Sequence, residues 1–176
     1  MEISTTIPPS GTPPRRASRR KPRPAAMVGW KEWVMLPDIE GQIVHAKIDT
    51  GARTSALHVD AMRLVTRDNL EWVEFGFRKP PRGAARSDDR YFPFSARYAG
   101  LRKVKSSSGH VEERPVIRTR LTLAGITSMV DITLTSRERM EFPMLVGRSA
   151  LRKFYTVSPG RAYLGGHDLQ SIERKA

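Results

Sequence analysis

From Val28 onward, short apolar segments with period-two alternation follow one another, each cut off by Gly, Pro or Asp. Side chains that switch faces at every residue belong to strands, so this pattern builds sheets and not a helical bundle. Trp30 to Leu36 is the first candidate. In Gln42 to Ile48, Val44, Ala46 and Ile48 share one face, while His45, Lys47 and then Asp49 are in phase on the other. Leu70 to Phe77 puts Val73, Phe75 and Phe77 in phase. Val111 to Leu123 and Ile126 to Leu134 read as two long strands joined at Ala124-Gly125 by a tight turn. Phe142 to Val146 is a short strand ending at Gly147, and Tyr155 to Leu164 is the last. Helix is confined to a turn or two at Ser149 to Phe154 and one longer candidate at Val59 to Val65. The expected fold class is mostly β with one or two short helices.

A chain of 176 residues supports one domain with a sizeable core. Residues 1–27 are dominated by Pro, Ser, Thr and Arg, with Pro13-Pro14-Arg15-Arg16 and Arg19-Arg20-Lys21. They bury too little apolar surface to offset their ordering entropy, so a disordered basic arm is expected, followed by the domain at 28–176. A second polar stretch, about 78–93, has the composition of a mobile basic loop. The net charge is +13, of which the arm carries +5 and the remainder +8. The folded part therefore shares the basic character, which favours an anionic partner.

Cysteine is absent, which removes disulfides, thiolate metal sites and cysteine nucleophiles, and fits a reducing cytoplasm. No apolar stretch reaches the roughly 20 residues that cross a bilayer, and the N-terminus lacks the apolar core of a secretory signal. The expectation is a cytoplasmic chain with no membrane partner.

Asp49-Thr50-Gly51 stands at the end of the Gln42 strand. Asp and Gly are also common in ordinary turns. In an aspartic peptidase the carboxylate stands on a tight loop facing a cleft, Thr locks that loop through its hydroxyl, and Gly lets backbone approach substrate. Two such aspartates share one proton, one activating water while the other supports the carbonyl oxygen. Asp49, Thr50 and Gly51 are thus the candidate catalytic residues. A half-barrel of this kind also carries two apolar residues and a glycine on a later strand behind the loop, and Met144-Leu145-Val146-Gly147 fits.

Val28-Gly29-Trp30-Lys31-Glu32-Trp33-Val34, Lys47 to His58, Arg114-Pro115-Val116-Ile117, Leu134 to Arg137 and Met144 to Arg148 together resemble the RimK-associated ATP-dependent zinc protease family. The resemblance covers most of residues 28 to 165. It implies a retropepsin-like closed half-barrel, and the link to a glutamate ligase implies acidic or glutamate-tailed peptides as substrate, on a ribosomal protein. Arg53, Ser55, Arg114, Arg137 and Arg148 lie in the matching segments and are the candidate substrate-binding residues, since a guanidinium takes a carboxylate through parallel hydrogen bonds. The alternative for each arginine is a structural ion pair. The chain departs from the family at Val157-Ser158-Pro159, where Val-Asp-Pro is expected, and the basic loop looks like an insertion.

The zinc and ATP of the family name find no motif here. His45, His58, His110 and His167 include no His-Glu-x-x-His, and there is no Gly-x-x-x-x-Gly-Lys loop, so neither a metal nor a nucleotide cofactor is expected. With a single Asp-Thr-Gly, a two-aspartate mechanism requires a homodimer. The leading expectation is an aspartic peptidase-like hydrolase. A non-catalytic module binding acidic peptides is the first alternative. A ribosome- or RNA-associated basic protein is the second, ranked last because no RNA-binding motif is present.

Overall fold

The computed structural model describes residues 25–76, 93–105, 109–136 and 141–165. Residues 1–24 of the basic arm and, apart from Pro93, the basic loop lie outside the described residues. The chain order is β1 (Ala26–Gly29), β2 (Lys31–Leu36), β3 (Gln42–Asp49), β4 (Ser55–His58), β5 (Ala61–Arg67), β6 (Leu70–Gly76), β7 (Phe94–Lys105), β8 (Val111–Leu123), β9 (Ile126–Thr135), β10 (Met144–Gly147), α1 (Arg148–Leu151) and β11 (Tyr155–Ser158).

Nine strands form one sheet in the order β2-β3-β10-β4-β9-β8-β7-β6-β5, and a pairing of β2 with β8 at Met35 and Thr122 closes its first six into a barrel. The mostly-β retropepsin-like class is therefore correct. Closure removes the free edges that β2 and β8 would otherwise expose. Asp38 reinforces the seam from the turn after β2, its Oδ2 accepting from the Arg120 amide at 2.8 Å and its Oδ1 from Arg120 Nε at 2.7 Å. Strands β7, β6 and β5 continue past the barrel as an antiparallel apron, and β1 pairs with β11 in parallel as a separate ribbon.

The alternation read in β3 holds: Val44, Ala46 and Ile48 are buried, and His45, Lys47 and Asp49 face outward. Leu36, Leu57, Ile117, Leu121, Ile132, Leu134 and Met144 complete the barrel core, each fully buried. At roughly 1.5–3 kcal/mol per such side chain, this burial outweighs the surface ion pairs, worth about 0–1 kcal/mol each.

Two expectations change. The helix expected at Val59 to Val65 is instead β5, which pairs with β6 from Ala61↔Gly76 to Arg67↔Leu70. Its turn, Asp68-Asn69, has positive φ at both residues, as a two-residue hairpin requires. Met62, Arg63 and Leu64 are all exposed, so β5 lacks the apolar-polar alternation that marks a strand. The last strand stops at Ser158 rather than Leu164, because Pro159-Gly160 turn the chain. Beyond that turn the backbone is fastened by the buried Glu32, whose Oε1 accepts from the amides of Gly29, Leu164 and Gly165. Among the described residues the only helix is the four-residue α1. No described helix is long and apolar enough to cross a membrane.

Candidate active site

Asp49 ends β3 and begins a loop that runs to Thr54 before β4. Its Oδ1 accepts from the amides of Gly51 at 2.9 Å and Ala52 at 3.0 Å, so the carboxylate turns back on its own loop. This is the local bond that Asp makes two and three residues on. The expected lock by Thr50 is not formed: Thr50 is exposed, and among the described residues its hydroxyl has no hydrogen bond.

The later strand lies where the sequence pattern put it. β10 runs parallel to β3 with Gly147 opposite Asp49, and antiparallel to β4 on its other side. A Cβ on Gly147 would stand 2.6 Å from the Thr54 carbonyl carbon and 2.7 Å from its oxygen, so only glycine lets the loop close over the strand. The Gly147 amide donates to Ser55 Oγ at 3.1 Å, and the Arg148 amide to the Ala52 carbonyl at 2.9 Å.

The loop borders an open groove of about 1210 Å³ on the outer face of the barrel. One wall is Asp49, Gly51, Ala52, Arg53 and Thr54; the other is the β7–β8 arm with Arg102, Lys103, Lys105, Arg114 and Arg118, and β9 with Asp131 and Thr133 forms the floor. Arg53 is exposed beside Asp49, as a substrate-binding residue would be. Arg114 also lines the groove, but it is buried, and its Nε and Nη2 both donate to Glu112 Oε2 at 3.1 and 2.9 Å.

The other candidates separate from the groove. Ser55 is fully buried and its hydroxyl is taken by Gly147, so it holds the loop and does not face a ligand. Arg148 is exposed at the start of α1, outside the groove lining. Arg137 lies outside the described residues. Zinc finds no donor set, since among the described residues no three His, Asp or Glu side chains converge.

Arg102, Arg118 and Asp131 were not singled out from the sequence as a site. Asp131 accepts from Arg118 Nε at 2.8 Å and from Arg102 Nη2 at 3.1 Å, and these arginines, Arg118 first, hold its carboxyl below the usual carboxylate range. Behind the site, on the outward face of β2 and β3, Trp33, His45 and Tyr163 stack, and Tyr163 Oη and His45 Nε2 share a hydrogen bond of 2.8 Å. Burial, and then the nearby Lys31 charge, lower the His45 pKa.

Residues 27–167 match the family described as RimB-like, retropepsin-like aspartic endopeptidase RimB. The chain belongs to the RimB-like family. Two similar curated proteins are each named "Probable alpha-L-glutamate ligase". One, from Shewanella halifaxensis, is 31% identical over 140 residues, covering 80% of this chain and 30% of that protein. The other, from Desulfotalea psychrophila, is 34% identical over 134 residues, covering 76% of this chain and 28% of that one. The RimB-like chain thus spans less than a third of the length of these relatives. A solved Legionella pneumophila protein of unknown function superposes with a TM-score of 0.60 at 27% identity, covering 78% of this chain and 96% of that one.

Proposed function

We propose that this chain is an aspartic-type peptidase acting on acidic, glutamate-tailed peptides, with Asp49 of two copies facing each other across a two-fold axis. The observation that carries this is the placement of Asp49: its carboxylate is oriented by two loop amides at the mouth of a groove rich in arginine and lysine. The relatives named as probable alpha-L-glutamate ligases support the substrate class, because most of this chain matches part of proteins that carry that name.

The chemistry needs one ionised and one protonated carboxylate about 3 Å apart. The ionised one takes a proton from water as the water oxygen bonds to the peptide carbonyl carbon. The protonated one donates to the carbonyl oxygen, and the C–N bond then breaks with proton transfer to the leaving amine. Within one chain the other groove carboxylate is Asp131, which its two arginines hold in the ionised form, so it does not suit the protonated role. A second Asp49 does. The exposed Thr50 and Gly51 would then lie at the contact between copies. In a cytoplasm the substrate would be an acidic tail on another protein, a ribosomal protein among them.

Cleavage of a glutamate-tailed peptide by wild type and Asp49→Asn tests this, alongside sedimentation of the active species. Asp49→Asn is expected to lower turnover by at least about a hundredfold. Equal turnover in both would remove Asp49 from the chemistry, and full activity in a strict monomer would end the pairing. Tight binding with no turnover in either protein would favour a binding module, since among the described residues one chain brings a single suitable carboxylate to the groove.

A further inference from the structure

Asp131 stands opposite Arg118 in the β8–β9 ladder, and Arg102 reaches it from β7, one strand further on. Each carboxylate oxygen takes one guanidinium, so the side chain bridges two arginines from neighbouring strands. A guanidinium presents five N–H donors, and among the described residues each of these spends one on Asp131. Arg118 and Arg102 remain 62% and 40% exposed, against 25% for Asp131. The pair is therefore open to an acidic side chain arriving through the groove. Arg114, by contrast, is buried and paired with the partly exposed Glu112.

We infer that Asp131 is a specificity-determining residue: its carboxylate occupies, within the chain, a subsite for a substrate carboxylate between Arg102 and Arg118, and so weakens the hold of the groove on acidic chains. This role rests on the groove taking acidic peptides, and it requires neither cleavage nor a second copy. With Asp131 in place the two guanidiniums offer one net positive charge instead of two. An incoming carboxylate meets a fixed anion and must share or displace its contacts. In a solvent-exposed, salt-screened groove, relief of that repulsion amounts to about three- to tenfold in affinity. Such attenuation would let a cut acidic product leave.

The test is binding of fluorescent pentaglutamate and pentaglutamine to the full chain at low salt, for wild type, Asp131→Asn, Asp131→Glu and the double variant Asp131→Asn with Arg118→Gln. Asp131→Asn is expected to bind pentaglutamate about three- to tenfold tighter and pentaglutamine unchanged. Asp131→Glu, which keeps the charge, should return to wild-type affinity, and the double variant should lose the gain. Thermal melts matching wild type establish that each variant is folded. Unchanged or weaker pentaglutamate binding by Asp131→Asn overturns the role of Asp131, while a wild-type preference for pentaglutamate leaves the groove assignment standing. A wild type with no such preference overturns both.

Discussion

Replacing Gly147 by alanine tests whether the loop of Asp49 depends on the close approach of β10. The added Cβ would meet Thr54 C at 2.6 Å, Thr54 O at 2.7 Å and Arg53 C at 3.0 Å, all backbone atoms that no rotamer change can move aside. Ordinary contact begins near 3.4 Å, so the loop must retreat by the better part of an ångström. That movement also stretches the bond from the Gly147 amide to Ser55 Oγ, now 3.1 Å and buried away from solvent. Overpacking of this kind costs about 1–3 kcal/mol, and the weakened buried bond takes the sum to the top of that range, about 3 kcal/mol. For a chain of this size, that is roughly 6–12 °C in Tm. The control is Gly160→Ala, where a Cβ meets nothing within 4 Å and φ lies outside the left-handed region. It should melt within about 2 °C of wild type, with any gain coming from the unfolded chain. Thermal melts followed by circular dichroism, with urea unfolding as a second measure, give both values. A Gly147→Ala protein that melts with wild type would refute the packing argument, and peptide cleavage undiminished in that variant would separate the loop's position from activity.

Ser55→Ala leaves the buried Gly147 amide without an acceptor while the Ser55 carbonyl keeps its bond from Thr133 Oγ1, so a loss of about 2 kcal/mol is expected in urea unfolding. No change in the midpoint would mean that the hydroxyl is dispensable. The depressed pKa of His45 makes the folded state resist its protonation, so the unfolded chain binds more protons just below the ordinary imidazole value of 6.5. Stability is then full at neutral pH and falls as pH drops through that value, and His45→Gln should flatten the slope between pH 7.5 and 5.5. An equal slope in both proteins would assign the loss to other groups.

Parts of the site can be counted along the chain and parts cannot. A two-residue turn at Ala124-Gly125 fixes the pairing of its flanking strands, which carries Arg118 to a place opposite Asp131. That pair can be counted from the sequence, although charges on a long strand read equally well as a solvated face. Arg102 could not be counted to the same carboxylate, since the β7–β8 register shifts between Tyr98 and Leu101. The helix expected at Val59 to Val65 failed for a related reason: β5 lies on the apron and exposes consecutive residues, so its periodicity carries no imprint of a core. Ser55 and Arg148 are candidates because they lie in the segments that match the family, which says nothing of the direction their side chains take. Ser55 is buried together with Ala56 and Leu57 on β4, between β9 and β10, and α1 turns Arg148 outside the groove lining.

Strand alternation marked a mostly-β chain with Asp49-Thr50-Gly51 at a strand end, and the resemblance of its longer segments to a known family added the retropepsin-like barrel. These are local properties: side-chain direction has a period of two, and a short acidic turn makes its bonds within a few residues. Only the tertiary structure decided what surrounds Asp49. The basic groove, the bridging of Asp131 by two arginines and the clamping of Leu164 and Gly165 by Glu32 all join residues far apart in the chain. Such contacts depend on barrel closure and strand register, which no window of sequence contains.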